Sequence, residues 1–246
     1  MPAFYREYYQ MNLKKSLILL FSLVIAVYSL NALAKKQEYP EVTEDGLHLV
    51  PDSRMAIVYA EPGANLALYS RVILLEPTVA FKKNWDRDQR SRSVSKLSTS
   101  SRVNTKKIKQ DLAEEFSAVF TEALSSGGYE VVTEAADDVL LIRPAIVDLD
   151  INAPQTHGSG RSNTYTRSAG EMTLYIELFD SVTGDLIAKA LDRKVDNPND
   201  VGFYTWANSQ SNKAASVRIL RDWADILLIT LNEVRSNPPA TEPESS

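Results

Sequence analysis

The sequence predicts an α+β domain, with a mainly antiparallel sheet of about five strands and two helices packed on one of its faces. Apolar residues recur at three- and four-residue spacing in two stretches, residues 104–126 and 217–234, as they do in amphipathic helices. Four strand-like runs lie between those stretches, and a glycine-centred turn joins the last two. Because the strands are grouped between two helices, the order favours α+β over a parallel α/β fold.

Residues 1–34 are predicted to be a secretory signal peptide. The basic pair Lys14-Lys15 precedes the apolar run 16–27, and Ala32-Leu33-Ala34 supplies the small-x-small ending of such a peptide. Cleavage between Ala34 and Lys35 would place the mature protein in the bacterial periplasm.

Two points stay open at this end of the chain. An uncleaved segment would anchor the protein in the inner membrane, although the apolar run is shorter than the ~20 residues that a spanning helix needs. The start can be Met1 or Met11, and in the second case residues 1–10 are an unused upstream extension.

Residues 35–67 are predicted to form an extended N-terminal arm, because prolines and glycines interrupt every run there. A single α+β domain, residues 68–236, follows the arm. Its first strand, residues 71–81, contains Pro77, which predicts a bulge or a sheet edge. The first helix should begin after Asn104, a favourable N-cap residue, and end at Gly127-Gly128.

The later elements are predicted in the same way. Strands at residues 129–133 and 139–151 precede a polar loop, and the turn Thr183-Gly184-Asp185 predicts a β-hairpin of residues 174–179 and 186–195. The second helix has a wide apolar stripe, which predicts burial on more than one side. Pro238-Pro239 stops it, and residues 237–246 are predicted to be a disordered acidic tail.

A basic segment, residues 82–109, is the most unusual feature of the composition. It holds ten Lys or Arg against two Asp, a formal charge of +8, while the chain without residues 1–34 carries −7. The remainder of the mature chain therefore carries −15. Clustered cations attract polyanions, and an exported protein meets anionic lipids, lipopolysaccharide and cell-wall polymers. The predicted anion- or envelope-binding residues are Lys82, Lys83, Trp85, Arg87, Arg90, Arg92 and Lys96.

Trp85 is expected to lie at a membrane interface beside these cations, since tryptophan is enriched there. The alternative for the whole segment is a solvated loop that pairs with the protein's own acidic surface. The overall charge of −5 argues against a nucleic-acid partner.

The composition excludes several kinds of catalytic site. The chain has no cysteine and only two histidines, His48 and His157, which excludes thiolate metal sites, disulfides and a histidine-rich metal centre within one chain. We expect no cofactor and no metal. Asp148 and Asp150 alternate along a predicted strand, so both carboxylates should lie on one face, with Val147, Leu149 and Ile151 on the other.

Two loop motifs are weaker candidates for chemistry. A Ser-x-x-Lys spacing, Ser93 to Lys96, lacks the Lys-Thr-Gly partner that accompanies a serine nucleophile of this kind. Residues 157–161 can cradle an anion with backbone N–H groups, but a flexible hairpin tip has the same composition.

The chain resembles the DUF3313 family of bacterial envelope proteins and lipoproteins of unknown function. The resemblance lies in RVILLEP at residues 71–77, VLLIRPAIVD at 139–148, and GEM at 170–172 leading into ELFDSVTGD at 177–185, followed by Asp192-Arg193. It implies an envelope protein but no particular activity. Many relatives carry a lipid-anchor cysteine after the signal peptide, and this chain has none.

These observations predict an exported, non-enzymatic periplasmic binding or envelope-accessory protein. Its expected partner is an anionic envelope component or another envelope protein. The alternative is a periplasmic hydrolase that uses strand carboxylates such as Asp148 and Asp150.

Overall fold

The computed structural model describes residues 39–92, 104–151, 165–166, 170–195, 205–206 and 209–236. The predicted signal peptide with its expected cleavage site between Ala34 and Lys35, the Ser93–Lys96 and 157–161 motifs, and the predicted acidic tail lie outside these residues. The helices are α1 (Trp85–Arg92), α2 (Thr105–Ser126) and α3 (Ser209–Ser236), with a short 3-10 turn at Leu66–Leu68. The strands are β1 (His48–Leu49), β2 (Ile57–Ala60), β3 (Arg71–Leu74), β4 (Thr78–Phe81), β5 (Glu130–Val131), β6 (Val139–Ile151), β7 (Tyr165–Thr166), β8 (Gly170–Asp180), β9 (Leu186–Val195) and β10 (Thr205–Trp206).

The described strands form an eight-stranded mixed sheet in the order β1-β2-β9-β8-β6-β3-β5, with β4 also paired to β6. Strands β7 and β10 form a separate antiparallel pair. The α+β class is confirmed, but the expected mainly antiparallel sheet of about five strands is corrected to a mixed sheet of eight, and the two expected helices to three in the described residues. The strands that the prediction missed have two to four residues each, too few to show a period of their own.

The parallel half of the sheet contains β3, β4 and β5. Strands β3 and β4 both run parallel to β6, and β5 runs parallel to β3. The predicted strand 71–81 is interrupted at Leu75, Glu76 and Pro77, which separate β3 from β4. The interruption agrees with the expected effect of the proline. Parallel neighbours need a crossover, and the connection between the paired strands β3 and β5 runs through β4, α1 and α2.

The antiparallel half contains β6, β8 and β9, and it follows the prediction. The hairpin of β8 and β9 turns at Gly184, whose φ of 76° is the left-handed conformation that glycine accepts without strain. The Asp180 carboxylate accepts hydrogen bonds from the backbone N–H groups of Val182 and Thr183, both at 2.8 Å. The hairpin is therefore part of the scaffold. On its far side, β2 and β1 extend the sheet into the predicted N-terminal arm.

A β-bulge in β6 reverses which residues face the helices. Pairing with β8 slips by one residue between Val147 and Asp150, and Asp148 takes a left-handed φ of 51°. Before the bulge the even-numbered residues are buried, such as Ile146 at 0% exposure, and after it the odd-numbered Leu149 is buried at 1%. Val147 therefore does not share a face with Leu149, contrary to the alternation read from the sequence.

Helices α2 and α3 pack against the sheet through one hydrophobic core. Asn104 caps α2 as expected, because its side-chain oxygen accepts the N–H of Lys107 at 3.0 Å. Gly127 ends that helix, and a β-carbon there would lie 2.0 Å from Leu228 Cδ1, so a glycine permits the close approach of α3. Large side chains that are fully buried fill the core: Phe116, Phe120, Leu140, Ile142, Ile146, Leu174, Leu220 and Trp223. Within the described residues, no helix has the length and apolarity needed to cross a membrane.

Candidate functional site

The described cations of the basic segment lie just after β4, on α1 and in the first turns of α2. We call this surface the basic corner and define it as Lys82, Lys83, Arg87, Lys106, Lys107 and Lys109. Lys109 Nζ lies 5.8 Å from the centre of the Phe81 ring, so the first turns of α2 lie beside the end of β4. Two separate runs of cations, Lys82–Arg87 and Lys106–Lys109, therefore lie on elements that adjoin the end of β4.

Trp85 is a core residue, and the expectation that it lies at a membrane interface is wrong. Its side chain stacks on Phe81, with ring centres 4.3 Å apart, and the residue is 3% exposed. Its indole N–H donates to the carbonyl of Ile151 at 3.1 Å. A buried indole whose N–H is satisfied by the backbone anchors α1 to the sheet.

Lys82 is held by two carboxylates at the end of the sheet. Its ammonium lies 3.1 Å from Glu171 Oε1 and 3.3 Å from Asp150 Oδ2, and these two hydrogen bonds raise the pKa of Lys82. Burial acts to raise the pKa of Glu171, but hydrogen bonds from Lys82 and Arg193 outweigh it and lower that pKa. Lys82 therefore fastens the corner to β6 and β8 rather than presenting an unoccupied cation.

Four other cations of the corner face water, whereas Lys109 is half-buried beside Phe81. Lys83 and Lys106 are exposed, and the side chain of Arg87 is 72% exposed although it lies 3.6 Å from Asp88. Lys107 pairs with Asp111 at 2.7 Å along α2, with 67% of its side chain exposed. Exposed ion pairs of this kind contribute little and exchange readily with other anions, so these groups stay available to a ligand. Arg90 and Arg92 belong to α1, but their side chains lie outside the described part, as does Lys96.

The strand carboxylates do not form a shared site. Asp148 is exposed at the bulge, whereas Asp150 follows it and pairs with Lys82. In the part of the chain that is described, no three His, Asp or Glu side chains are grouped as a metal site would require. The hydrolase alternative therefore stays a hypothesis from the sequence.

A second polar cluster, which the sequence analysis missed, lies on the face of the sheet opposite the helices. Glu177 accepts hydrogen bonds from Arg143 Nε at 2.6 Å and from the Tyr175 hydroxyl at 2.7 Å. The Arg143 guanidinium also lies 4.6 Å from the centre of the Phe179 ring. Burial, followed by the hydrogen bond to Glu177, raises the pKa of Tyr175 to about 12. Alternation could place Tyr175 and Glu177 on one face, but only the pairing of β6 with β8 brings Arg143 to them.

A small pocket lies between the start of β8 and the start of α3. It is lined mainly by apolar side chains, including those of Leu149, Met172 and Ile219, with Glu171 at its edge. Its volume of about 10 Å³ holds no more than one water molecule, which is too small for an organic substrate.

The chain matches one protein family and is distantly similar to several solved structures. No curated protein matches the chain. Among solved structures, the PelC dodecamer from Paraburkholderia phytofirmans is 13% identical with a TM-score of 0.32, over 67% of this chain and 94% of that chain. Protein XCC0632 from Xanthomonas campestris is 12% identical with a TM-score of 0.38, over 69% and 89%. A DUF4136 family protein from Bacteroides thetaiotaomicron is 14% identical with a TM-score of 0.33, over 72% and 95%.

These structural similarities are too low to support an argument about function. The family match is more extensive, because the model of the family described as "Protein of unknown function (DUF3313)" covers residues 45–225, which is most of the chain. The chain belongs to the DUF3313 family.

Proposed function

We propose that this protein is exported to the periplasm and acts there as a non-enzymatic binding or accessory protein of the cell envelope. In this proposal its basic corner holds anionic envelope material. The observation that carries the proposal is the grouping of exposed Lys and Arg at one end of a fold whose remaining mature charge is −15. A stable fold does not require such a separation of charge, whereas the capture of a polyanion does.

The proposed export rests on the N-terminal sequence. The basic pair, the short apolar run and the Ala32-Leu33-Ala34 ending are the three parts of a cleavable signal. The envelope is also the compartment where phosphate-rich surfaces are abundant, and such surfaces match the charge of the basic corner.

The buried Trp85 supports a preformed binding surface. Since its indole N–H donates to Ile151 O and its ring stacks on Phe81, α1 is fixed to the end of the sheet. The cations of the corner therefore do not need to order a loop when they bind, and association avoids part of its entropic cost.

Charge reversal at the corner tests this proposal against a matched control. The corner variant carries Lys83→Glu, Arg87→Glu and Lys107→Glu, and the control carries Arg54→Glu, Lys213→Glu and Arg221→Glu, with the same change in net charge. Both sets contain exposed cations with carboxylate neighbours, for example Lys107 with Asp111 and Lys213 with Glu115.

The measurement is retention on immobilised lipopolysaccharide at low salt. We expect the wild-type and control proteins to be retained at low salt and to elute as the salt concentration rises, because salt screens the attraction. The corner variant should pass through without being retained. Equal retention of the two variants, or retention that does not depend on the salt concentration, would contradict the proposal.

A further inference from the structure

We propose that the basic corner docks on the surface of an anionic phospholipid bilayer by charge alone, without inserting any side chain into the hydrocarbon. This inference rests on the proposed function and adds the identity of the partner and the depth of contact. The partner is a membrane whose headgroups carry negative charge.

The first argument is the direction of the aromatic side chains. A protein that inserts into a membrane presents tryptophan or other large apolar groups beside its cations. At the corner the Phe81 and Trp85 rings stack on each other, and Trp85 is 3% exposed. The groups that reach the solvent are instead Lys83, Arg87, Lys106 and Lys107, which favour headgroups over acyl chains.

The second argument is the chemistry of the cations. Three of these four exposed groups are lysines, which act as flexible point charges, whereas recognition of one phosphate commonly uses the fixed fork of an arginine. The small pocket of the fold is lined by Glu171 and apolar groups rather than by these cations. Dispersed lysines of this kind match a field of many headgroups better than a single small anion.

The third argument is the charge of the rest of the molecule. The mature chain outside residues 82–109 carries −15, so an anionic surface repels the rest of the molecule taken as a whole. Approach is therefore most favourable when the basic corner faces the bilayer, which favours one orientation. The repulsion of the rest of the molecule opposes the attraction at the corner, so the association is weak and reversible. Salt screens both the attraction and the repulsion.

Co-sedimentation with lipid vesicles tests the inference. The protein is used in the form in which it is recovered from cells. We expect vesicles containing phosphatidylglycerol to bind it, and pure phosphatidylcholine vesicles to bind it far less. The single substitutions Lys83→Gln, Lys106→Gln and Lys107→Gln should each weaken binding by about five-fold, since a lysine near such a surface contributes about that factor. The control Lys213→Gln should have no such effect.

The same experiment separates this inference from the proposed function. Retention on lipopolysaccharide or polyphosphate without binding to phosphatidylglycerol vesicles would overturn the membrane partner and leave the proposed function standing. Failure on all three materials would overturn both.

The depth of contact has its own readout. In a Trp206→Phe variant the emission comes from Trp85 and Trp223, which are both buried. We expect brominated acyl chains to leave this emission unchanged while the protein is bound. Strong quenching would show insertion and would overturn the inference.

Discussion

The antiparallel hairpin half of the sheet and the basic corner differ in how their structure depends on the sequence. In the hairpin, β8 and β9 are neighbours in the chain, and a local turn at Gly184 fixes their pairing. In the corner, β4 pairs with β6, which begins almost sixty residues later, and α2 must fold back to bring Lys109 over Phe81. Local chemistry therefore determines the first region, and long-range packing determines the second.

The largest expected effect on the free energy of unfolding tests the packing of α3 against the hairpin half of the sheet. Trp223 on α3 is fully buried, and its indole N–H donates to the Asp192 carboxylate of β9 at 2.8 Å. Trp223→Ala should lower the free energy of unfolding by about 3–5 kcal/mol, because it leaves a large cavity and removes a buried donor. Urea unfolding followed by circular dichroism measures this loss. A loss below about 1 kcal/mol would show that α3 is not essential to the packing of β9.

A smaller effect is expected at the anchor of the corner. Trp85→Phe keeps an aromatic ring beside Phe81 but leaves the Ile151 carbonyl without its side-chain donor. We expect a loss of about 1–2 kcal/mol in the free energy of unfolding. Hydrogen exchange should locate the loosening in α1 and β4 and leave the hairpin protected. Equal loosening of both regions would remove the distinction between them.

The smallest effect on the free energy of unfolding is expected at the polar cluster on the face of the sheet opposite the helices. This effect should depend on pH. Burial acts to raise the pKa of Glu177, but hydrogen bonds from Arg143 and Tyr175 lower it overall. A carboxylate whose pKa is lower in the folded state stabilises the fold above its unfolded pKa, and this stability is lost as the pH falls.

Arg143→Met should therefore cost about 1 kcal/mol at neutral pH, a value reduced for screening because 55% of the Arg143 side chain is exposed. The difference from the wild-type protein should disappear in acid, where Glu177 is protonated in both proteins. Unfolding free energies measured across the acid range test this, and a difference independent of pH would contradict the role given to Glu177.

The elements that the sequence predicted are those with local signals. Asn104 and Gly127 bound α2 by capping and by backbone freedom, and Gly184 fixes the hairpin turn. The parallel pairing of β3 and β4 with β6 has no such local signal. These two strands have four residues each, and their position in the sheet depends on β6, which lies far along the chain. The class of the fold and half of its sheet could therefore be predicted from the sequence.

The candidate site shows the same limit. The run of cations was visible as composition, but the orientation of Trp85 was not, because the Ile151 carbonyl that accepts its N–H follows the bulge of β6. That bulge also explains the mistaken grouping of Val147 with Leu149. A left-handed Asp148 shifts the alternation by one residue, and a period-2 pattern alone cannot reveal the shift.

The central proposal for this member of the DUF3313 family is that it is exported from the cytoplasm and that its basic corner binds anionic surfaces. The most direct measurement is the intact mass of the protein released by osmotic shock, compared with that in the membrane fraction. The account predicts a species that begins at Lys35 in the shock fluid. A species that keeps residues 16–27 and stays in the inner membrane would contradict it, because the apolar segment would then anchor the chain.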